Sequence, residues 1–579
     1  MCGIHVSITR SPSSEPADIS PALRRCLCSR GPDHIATHET RLDGHDDGDD
    51  DDDDAPATRL TFTSTVLALR GHHVARQPLV GPESGSVLCW NGEAWRIGAV
   101  HVGGDNDAEV IACRLEDDPA GSQPADRQGV VLGLLRSISG PFAFVYFDGA
   151  SKKVYFGRDR LGRRSLLIRD DGRRLVLSSV ADEADSLWKE VEADGIYVLD
   201  LDGGKPGDES AGTTATVTRL DWLEGDSAVD AVSGIGRFND TVPGAESGPT
   251  SGSASVEALR RQLTESLKLR VLGVPTPPGA HGMQAPTKIA VLFSGGLDCT
   301  VLARLCHELV PPDQGIDLIN VAFENPRVAA NAQKAKGQET ILELSDIYEA
   351  CPDRMTGRKS FAELQAVCPG RAFRFVAVNI PYSEYLSHKG EVTSLIYPHN
   401  TEMDLSIGCA LYFAARGQGL ASTDATSTTS SAVPYTTPAR VLLSGLGADE
   451  LFGGYQRHAT AFSRGGYPGL VQELRLDVGR LGRRNLGRDD RAMSHWGREV
   501  RFPFLDEELV RWAIGTPAQD KCDFGQPGGR VEPGKRVLRL LALELGMAGV
   551  ATEKKRAIQF GSRTAKMESG RVKGTTLLS

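Results

Sequence analysis

Hydrophobic and polar residues alternate in short runs through the first 200 residues of the chain. Gly and Asp residues separate these runs, a pattern typical of strands in an antiparallel, hairpin-built sheet. The predicted strands cover residues 60–69, 87–90, 142–147, 153–156, 175–179 and 195–200. Two longer periodic stretches, 107–116 and 129–138, predict helices. We therefore expect an α+β domain over residues 1–202.

From residue 256 onward, helical and strand-like segments alternate along the chain. The predicted helices cover residues 256–272, 301–309, 361–367 and 406–416, and the predicted strands cover 288–293, 317–323, 372–379 and 439–444. Such alternation favours a parallel sheet covered by helices. We expect an α/β domain over residues 256–579, in which the amphipathic stretch 535–550 is a core helix rather than a membrane-seeking one.

Three segments interrupt these two patterns. Residues 43–56 are expected to be a disordered acidic insertion, 203–255 a linker and 420–438 a low-complexity insertion. Nine aspartates between residues 43 and 54 account for most of the net charge of −11, which leaves −2 for the remaining chain. A nearly neutral body argues against binding to nucleic acid or to an anionic membrane, since both need concentrated Lys and Arg.

The sequence also gives an expectation about location. It has no run of about 18 apolar residues, and it starts without the basic and apolar stretches of a signal peptide. Eleven cysteines at irregular spacing fit a reducing compartment, and we interpret Cys26 and Cys28 as structural thiols rather than zinc ligands. The sequence therefore predicts a soluble cytoplasmic protein.

Cys2 carries the first candidate chemistry. If Met1 is removed, Cys2 becomes the N-terminal residue and supplies both a thiol nucleophile and an α-amine. The reference pKa of an α-amine is about 8, so this group can act as a general base near neutral pH. A cysteine at position 2 carries little weight alone, and the residues that accompany it decide its interpretation.

A set of motifs accompanies Cys2 in the N-terminal part. The set comprises Arg30-Gly31-Pro32-Asp33, Arg70, Asn91-Gly92-Glu93, Asp107 and residues 157–162. In order and spacing it resembles the class II glutamine amidotransferases, whose N-terminal-nucleophile domain has four layers in the order αββα. A hairpin turn of the Asn-Gly type is the alternative for residues 90–93 alone, and it does not explain the whole set.

The resemblance implies a role for each of these residues. Arg70 and Asp107 would recognise the α-carboxylate and α-ammonium groups of glutamine, and Glu93 would lie in the same substrate pocket. The Asn91 side chain and the Gly92 backbone N–H would form the oxyanion hole for the attack by Cys2. Residues 157–162 are expected to be structural rather than catalytic.

A second candidate site begins where a predicted strand runs into Ser294-Gly295-Gly296-Leu297-Asp298-Cys299-Thr300 and then into a helix. Small residues at such a turn let backbone N–H groups approach an anion, and the helix N-terminus adds partial positive charge. The segment lacks the Gly-Lys-Ser/Thr of the P-loop. It resembles instead the PP-loop of enzymes that split ATP into AMP and pyrophosphate, which would make Asp298 a magnesium ligand. A Gly-rich turn without a ligand is the weaker alternative.

Two further motifs, residues 444–455 and 498–506, resemble the asparagine synthetase family. That resemblance makes Asp449 the second magnesium ligand. It assigns ATP and pyrophosphate binding to Phe293, Ser294, Gly295, Gly296, Leu297, Asp298, Cys299, Val321, Ser444 and Gly445. The resemblance covers nearly the whole chain apart from the three interrupting segments.

The family resemblance implies a two-part reaction. The β-carboxylate of aspartate would attack the α-phosphate of ATP to give β-aspartyl-AMP and pyrophosphate, while Cys2 releases ammonia from glutamine through a thioester. Ammonia would then pass through the protein to the adenylate. The expected cofactors are ATP and Mg²⁺, and the expected partners are glutamine and aspartate or another carboxylate. The sequence leaves a homodimer open.

Two positions depart from the family pattern. Leu446 stands where the family has Glu, and Ala557 stands where it has a Lys that steadies the adenylating transition state. Lys554, Lys555 and Arg556 are close to the second position. Three functions therefore stay open: an asparagine synthetase or an amidotransferase for another carboxylate; a glutaminase tied to an ATP-binding domain that no longer adenylates; and a non-catalytic scaffold.

Overall fold

The structure is a computed structural model. It describes residues 2–10, 19–42, 58–117, 124–182, 185–201, 217–224, 231–242, 248–278, 287–336, 344–425, 432–525, 531–568 and 573–578. The expected acidic insertion 43–56 lies outside the described residues, and so do parts of the expected linker and of the low-complexity segment.

The described residues contain strands and helices with the following bounds. The strands are β1 (Gly3–Arg10), β2 (His34–Leu42), β3 (Thr58–Val66), β4 (Leu79–Val80), β5 (Val87–Gly92), β6 (Arg96–Ile97), β7 (Val100–His101), β8 (Ile138–Ser139), β9 (Phe142–Asp148), β10 (Lys153–Arg158), β11 (Leu167–Asp170), β12 (Arg174–Ser178), β13 (Lys189–Glu190), β14 (Gly195–Asp200), β15 (Val217–Asp221), β16 (Ala231–Val232), β17 (Gly236–Arg237), β18 (Ile289–Leu292), β19 (Ile316–Phe323), β20 (Phe373–Ile380), β21 (Gln418–Ser422), β22 (Val433–Thr436), β23 (Val441–Leu443) and β24 (Glu499–Arg501).

The helices are α1 (Pro21–Arg30), α2 (Asp107–Glu116), α3 (Pro124–Ser137), α4 (Ala254–Val271), α5 (Leu297–Leu309), α6 (Pro326–Lys336), α7 (Leu344–Glu349), α8 (Pro352–Val367), α9 (Tyr382–Ile396), α10 (Glu402–Arg416), α11 (Ala448–Phe452), α12 (Gln456–Gly479), α13 (Leu481–Arg484), α14 (Leu486–Ser494), α15 (Glu507–Gly515), α16 (Arg536–Glu544), α17 (Ala548–Ala551) and α18 (Ile558–Gly561). No helix among the described residues is long and apolar enough to cross a membrane.

The chain divides into two compact units. Unit 1 comprises residues 1–229 and 481–497, and unit 2 comprises residues 230–480 and 498–579. This grouping differs from the sequence-based boundaries in one main respect, because residues 481–497 pack with the N-terminal part of the chain. The strand β15, which lies in the expected linker, pairs with β14 and extends a sheet of unit 1.

Unit 1 is built on two six-stranded sheets whose strand pairs are antiparallel. Their strand orders are β13-β11-β12-β1-β3-β2 and β15-β14-β10-β9-β5-β4. One apolar cluster joins Ile4 and Phe62 of the first sheet to Val145 and Phe156 of the second. A second cluster packs Phe144, on the opposite face of β9, against the helices α2 and α3. Strand β9 is thus buried on both faces, as its unbroken apolar sequence predicts.

The segment 481–497 supplies buried charges to unit 1. All nine residues of α14 are buried, although four of them are Arg or Asp. The carboxylate of Asp490 accepts a hydrogen bond from Arg30 Nη2 at 2.9 Å and one from the backbone N–H of Ser165 at 3.1 Å. Arg491 donates to Glu190 at 2.8 Å. These buried pairs tie the segment to α1 and to the strands of the first sheet.

Unit 2 contains one seven-stranded sheet in the order β22-β21-β20-β19-β18-β23-β24. The five strands from β20 to β24 in this order are parallel, and β18 lies at their centre between β19 and β23. Because successive strands are added on opposite sides of β18, the order reverses there. In open parallel sheets, ligands bind at the carboxyl ends of the strands beside such a reversal.

The prediction that residues 420–438 form a loop is wrong at both ends of this segment, where the structure has strands. Its first residues belong to β21, which pairs antiparallel with β20, and its last residues include β22. Tyr435 of β22 donates its hydroxyl hydrogen to the buried carboxylate of Asp317 at 2.9 Å. The low-complexity composition gave no sign of these strands, of which β22 lies at the edge of the sheet and β21 pairs with both β20 and β22. The coarse arrangement, an antiparallel sheet unit followed by a parallel α/β unit, is confirmed.

Candidate active sites

Cys2 lies directly before β1, in the interior of unit 1, with 9% of its surface exposed. Its backbone N–H donates to Asn91 Oδ1 at 3.1 Å, so the two predicted residues are in contact. Its carbonyl oxygen accepts from Arg30 Nε at 3.4 Å. The side-chain amide of Gln77 points its Nε2 at the Cys2 sulfur at 3.9 Å. The thiol is therefore held in a buried polar environment at a strand end.

Asn91 is fully buried in β5, one strand away from the centre of the second sheet. Its Oδ1 accepts from Cys2, and its Nδ2 has no hydrogen-bond partner among the described residues. A buried donor without an acceptor costs about 1 to 3 kcal/mol. The Asn91 side chain therefore keeps an N–H donor available while its oxygen contacts the residue that carries the thiol. Gly92 follows it in β5, opposite Phe142 of β9, which excludes a hairpin turn at this point.

Arg70 binds the turn that follows β5. Its Nη1 donates to the Ala94 carbonyl at 2.8 Å and lies 3.3 Å from Glu93 Oε2, while its Nη2 donates to the Gly103 carbonyl at 2.6 Å. The guanidinium also lies over the Trp95 ring, 5.5 Å from its centroid. About 13% of the side chain is exposed, so one edge of this cation stays open to a ligand.

Asp107 fixes the same turn from the other side. It is the first residue of α2, and its Oδ2 accepts from Trp90 Nε1 at 3.0 Å and from the Ala94 N–H at 2.7 Å. Burial raises the pKa of the Asp107 carboxyl, against the opposing effect of Arg70 and of these hydrogen bonds. All the predicted residues of this site are thus brought together around the end of β5.

Gln77 is a residue of this site that the sequence analysis missed. Besides pointing at the Cys2 sulfur, it accepts from the Trp90 N–H through its Oε1 at 2.7 Å. One buried amide therefore links the nucleophile to the strand that carries Asn91. Gln77 is separated from its partners in the chain, and no spacing in the sequence marks it.

Residues 157–162 make structural contacts, as expected. Arg158 is fully buried and donates to the carbonyl oxygens of Arg164 and Val191 at 2.7 and 3.0 Å. Asp159 accepts from the backbone N–H groups of Phe142 and Leu161 at 3.1 and 3.0 Å. These charges hold backbone groups within unit 1.

The second site lies in unit 2, where β18 ends and α5 begins. Phe293 donates its backbone N–H to the Ile319 carbonyl at 2.7 Å, which keeps the strand in register up to the loop. Gly295 has φ +79°, and a Cβ there would lie 2.4 Å from the backbone nitrogen of Gly357 in α8. Only glycine fits this position, which combines a left-handed backbone with close packing against a helix.

The loop leads into the N-terminus of α5 at Gly296, whose carbonyl accepts from Thr300 Oγ1 at 2.7 Å. Burial raises the pKa of the Cys299 thiol, which donates to the same carbonyl at 3.3 Å. Cys299 is thus a neutral packing residue of the loop. Ser294 lies beside it, with Oγ 3.6 Å from Sγ.

A parallel arrangement follows β23. Ser444 pairs with Arg501 through its backbone N–H at 3.0 Å. A Cβ on Gly445 would lie 2.8 Å from Cβ of Asp298, so the two loops touch at this position. Val321, on the neighbouring strand β19, is 6% exposed. The residues predicted to bind the nucleotide therefore surround the carboxyl ends of β18, β19 and β23.

The carboxylates of Asp298 and Asp449 converge on one ammonium group. Lys535 Nζ lies 2.8 and 2.7 Å from the two oxygens of Asp298, and 2.7 Å from Oδ1 of Asp449. Lys555 pairs with Oδ2 of Asp449. Burial alone would raise the pKa of Asp449, but the two ammonium groups outweigh burial and hold this pKa below its ordinary value.

Lys535 was also missed by the sequence analysis. It stands at the N-terminus of α16, where a cation is unfavourable because the helix dipole is positive there. A lysine at such a position needs a compensating anion, and this is the signal that the sequence did contain.

The two positions that depart from the family pattern lie near these groups. Leu446 is half-buried in the loop after β23, and Ala557 precedes α18. Neither side chain can carry a charge. The neighbouring Lys555 reaches Asp449, and Arg556 lies 3.7 Å from the buried Asp353. Burial raises the pKa of the Asp353 carboxyl to about 7.

Comparison with known proteins adds to this geometry. The family model described as asparagine synthase matches residues 421–472 and 463–575, and the model described as glutamine amidotransferase domain matches residues 65–185. The chain is 34% identical over 603 residues to asparagine synthetase domain-containing protein 1 of Gallus gallus, covering 90% of this chain and 91% of the chicken protein. It is 32% identical to the Homo sapiens protein of the same name, covering 98% of this chain and 96% of the human protein.

Among solved structures, the glutamine phosphoribosylpyrophosphate amidotransferase of B. subtilis complexed with ADP and GMP is similar over 59% of this chain and 71% of that chain, at 14% identity and a TM-score of 0.26. A TM-score this low does not support a conclusion about this chain. The sequence matches do support one, because they extend over the residues of both sites.

Proposed function

Because the chain belongs to the family of asparagine synthetase domain-containing protein 1, we propose that it is a glutamine-dependent amidotransferase. It would use ATP to activate the β-carboxylate of aspartate and ammonia from glutamine to form asparagine. Unit 1 would be the N-terminal-nucleophile domain with αββα layers, and unit 2 the PP-loop domain.

The pairing of Cys2 with Asn91 carries the proposal for the glutamine half. Once Met1 is removed, the nitrogen that donates to Asn91 becomes an α-amine on the same residue as the thiol. The thiol attacks the side-chain amide of glutamine, and the α-amine takes its proton. The unpartnered Nδ2 of Asn91, together with the Gly92 N–H, then stabilises the oxyanion.

Glutamine would be held by the groups around the turn after β5. The open edge of Arg70 takes the α-carboxylate in a charge-assisted contact. The Oδ1 of Asp107 takes the α-ammonium, while its Oδ2 keeps the turn in place. Glu93, held beside Arg70, completes the polar wall of the pocket. The geometry supports this assignment because the three charged side chains lie around the same turn after β5.

The loop between β18 and α5 would hold the pyrophosphate of ATP. Its residues Ser294 to Cys299 bring backbone N–H groups and a helix N-terminus to one point. Phe293, Val321, Ser444 and Gly445 would contact the rest of the nucleotide. In this proposal the β-carboxylate of aspartate attacks the α-phosphate, and ammonia then displaces AMP from β-aspartyl-AMP.

Asp298 and Asp449 fit a magnesium site. Their oxygens already lie around one cation, Lys535 Nζ, at 2.7 to 2.8 Å. No cluster of three or more His, Cys, Asp or Glu suited to a metal occurs among the described residues. Two carboxylates with the remaining ligands from phosphate and water are the usual arrangement for Mg²⁺ bound with a nucleotide. The ion would neutralise the charge on the departing pyrophosphate.

Leu446 and Ala557 support a second candidate function. Each removes a charge that the family places near the reacting groups, and one strong electrostatic contact is worth about 2.7 to 4 kcal/mol of transition-state stabilisation. The second candidate is a glutaminase whose ATP-binding unit no longer adenylates. A non-catalytic scaffold is the third, and the assembled site around Cys2 counts against it.

Two assays on the purified full-length chain test the proposal. Ammonia release from glutamine is measured for the wild type, for Cys2→Ala and for Cys113→Ala, whose cysteine is exposed and serves as the matched control. We expect activity in the wild type and in Cys113→Ala, and none in Cys2→Ala. Hydrolysis that survives in Cys2→Ala would refute the role of Cys2.

The second assay follows aspartate-dependent exchange of labelled pyrophosphate into ATP. We expect exchange in the wild type and in Cys2→Ala, because adenylation does not need glutamine. Glutaminase activity without exchange on any amino acid would favour the second candidate function. Loss of both activities, with ATP still raising the melting temperature, would favour the scaffold.

A further inference from the structure

We propose that Lys535 is a built-in counter-ion of Asp298 and Asp449, which makes binding of a divalent cation at these carboxylates depend on a nucleotide. Lys535 would give up the carboxylates when a polyphosphate arrives and would then pair with the phosphate oxygens. This inference rests on the proposed function, in which the two carboxylates hold Mg²⁺.

The first argument is position. Lys535 Nζ contacts three of the four carboxylate oxygens at 2.7 to 2.8 Å, and Lys555 pairs with the fourth. Only 4% of the Lys535 side chain is exposed, against 33% for Lys555. Lys535 therefore occupies the point at which the two carboxylates converge, while Lys555 approaches from the surface.

The second argument is charge balance. The two carboxylates and the two ammonium groups that pair directly with them sum to zero charge, and the next charged groups, Glu450 and Arg539, are of opposite sign. A divalent cation that entered alone would displace an ammonium from its partners and leave an excess of positive charge away from water, which is strongly unfavourable. A triphosphate brings enough negative charge to satisfy both the metal and the displaced ammonium. The metal and the nucleotide are therefore expected to bind together.

The third argument is that the fold fixes the backbone of Lys535 and directs its stem toward the carboxylates. Its backbone has φ +56° at the start of α16, and its N–H donates to the Phe452 carbonyl at 2.8 Å. A Cβ on Gly454 would lie 2.0 Å from Oδ1 of Asp449 and 2.4 Å from Cε of Lys535, so the lysine stem passes through space that only glycine leaves open. An exposed ion pair would need no such arrangement.

The test measures Mn²⁺ binding by electron paramagnetic resonance, with and without the α,β-methylene analogue of ATP. The variants are Lys535→Met, which keeps the length of the side chain, and Lys535→Gln. Lys554→Met is the matched control, because Lys554 is exposed and lies next to Lys555. We expect the wild type and the control to bind Mn²⁺ at least tenfold more tightly with the analogue than without it.

For Lys535→Met and Lys535→Gln we expect Mn²⁺ affinity without nucleotide to rise at least tenfold over the wild type, and Mn²⁺ to raise their melting temperatures. Combining either Lys535 variant with Asp298→Asn should abolish the increase in Mn²⁺ affinity. If Lys535→Met folds poorly without metal, its recovery on addition of Mn²⁺ supports the inference, and failure to recover contradicts it.

The inference is overturned if the wild type binds Mn²⁺ equally well with and without the analogue, or if neither Lys535 variant gains affinity. In both cases the metal role of the carboxylates can still stand. If the wild type binds no Mn²⁺ even with the analogue, the proposed magnesium site itself fails, so the two failures are distinguishable.

Discussion

Replacement of Asp490 by alanine tests whether residues 481–497 are a folded part of unit 1. The Asp490 and Arg164 side chains are fully buried, and that of Arg30 is 1% exposed. Removing the carboxylate takes away a buried anion that lies beside two guanidinium groups. Breaking a buried ion pair in this way costs about 3 to 5 kcal/mol. For a unit of this size the unfolding midpoint should fall by roughly 6 to 20 °C, at about 2 to 4 °C per kcal/mol.

The matched control lies in the same segment. Arg483 pairs with Glu192 at 2.7 Å, but the two side chains are 61% and 45% exposed. An exposed pair of this kind contributes less than about 1 kcal/mol. Arg483→Ala should therefore move the midpoint by no more than a few degrees. The comparison separates the effect of burial from the effect of altering the segment.

Tryptophan fluorescence during thermal unfolding is the suitable assay. Trp90, Trp95, Trp188, Trp222 and Trp496 lie in unit 1, and Trp512 is the remaining tryptophan of the chain. The signal therefore reports mainly on unit 1. If Asp490→Ala and Arg483→Ala shift this transition equally, the buried charges of α14 do not stabilise unit 1, and the reasoning is refuted.

Four other substitutions have defined outcomes. Asn91→Ala should lower the kcat of glutamine hydrolysis by about 10²- to 10³-fold, the effect of losing one oxyanion donor. An unchanged kcat would remove Asn91 from the mechanism. His5 is buried with both ring nitrogens unpartnered among the described residues, and burial, reinforced by Arg174 and opposed by Asp182, lowers its pKa from 6.5 to about 4. Between these values the unfolded chain binds a proton that folded His5 does not, so lowering the pH from 7 to 5 should cost about 2 kcal/mol of stability. Urea unfolding of His5→Leu should lose this dependence, and an unaltered slope would contradict the assignment. Gly295→Ala should destabilise unit 2, because a non-glycine residue in this left-handed backbone conformation costs about 1 to 3 kcal/mol. It should also abolish ATP binding, which calorimetry measures. Gly390→Ala, where a Cβ meets open space in α9, should be neutral or stabilising.

Sequence patterns predicted the elements that local residues determine. The helix predicted at 107–116 coincides with α2, because Asn106 caps it and its apolar residues recur at helical spacing. The strands that lead to Asn91 and to Ser294 were predicted from their short apolar runs, which are also a local property of the sequence. The predicted helix 361–367 covers only the second half of α8, since the first half buries Arg354 and Asp353, which resemble surface residues in the sequence.

What the sequence did not predict depends on contacts between distant residues. Lys535 and Asp298 are 237 residues apart, so the position of Lys535 at a helix N-terminus indicates that an anion is needed but not which one. The polar run of α14 resembles an exposed helix, yet its charges are buried because Arg30 and Glu190 of unit 1 neutralise them. Only the folded chain brings these opposite charges together.

The position of residues 481–497 has a consequence for the order in which the protein is made. A ribosome adds about 5 to 20 residues per second. After residue 229 has been synthesised, 252 further residues separate it from residue 481, which takes roughly 13 to 50 seconds at this speed. Throughout that interval Arg30, which contacts the carbonyl of Cys2, lacks Asp490. The nascent N-terminal unit therefore lacks the buried anion beside Arg30 until most of unit 2 has been translated.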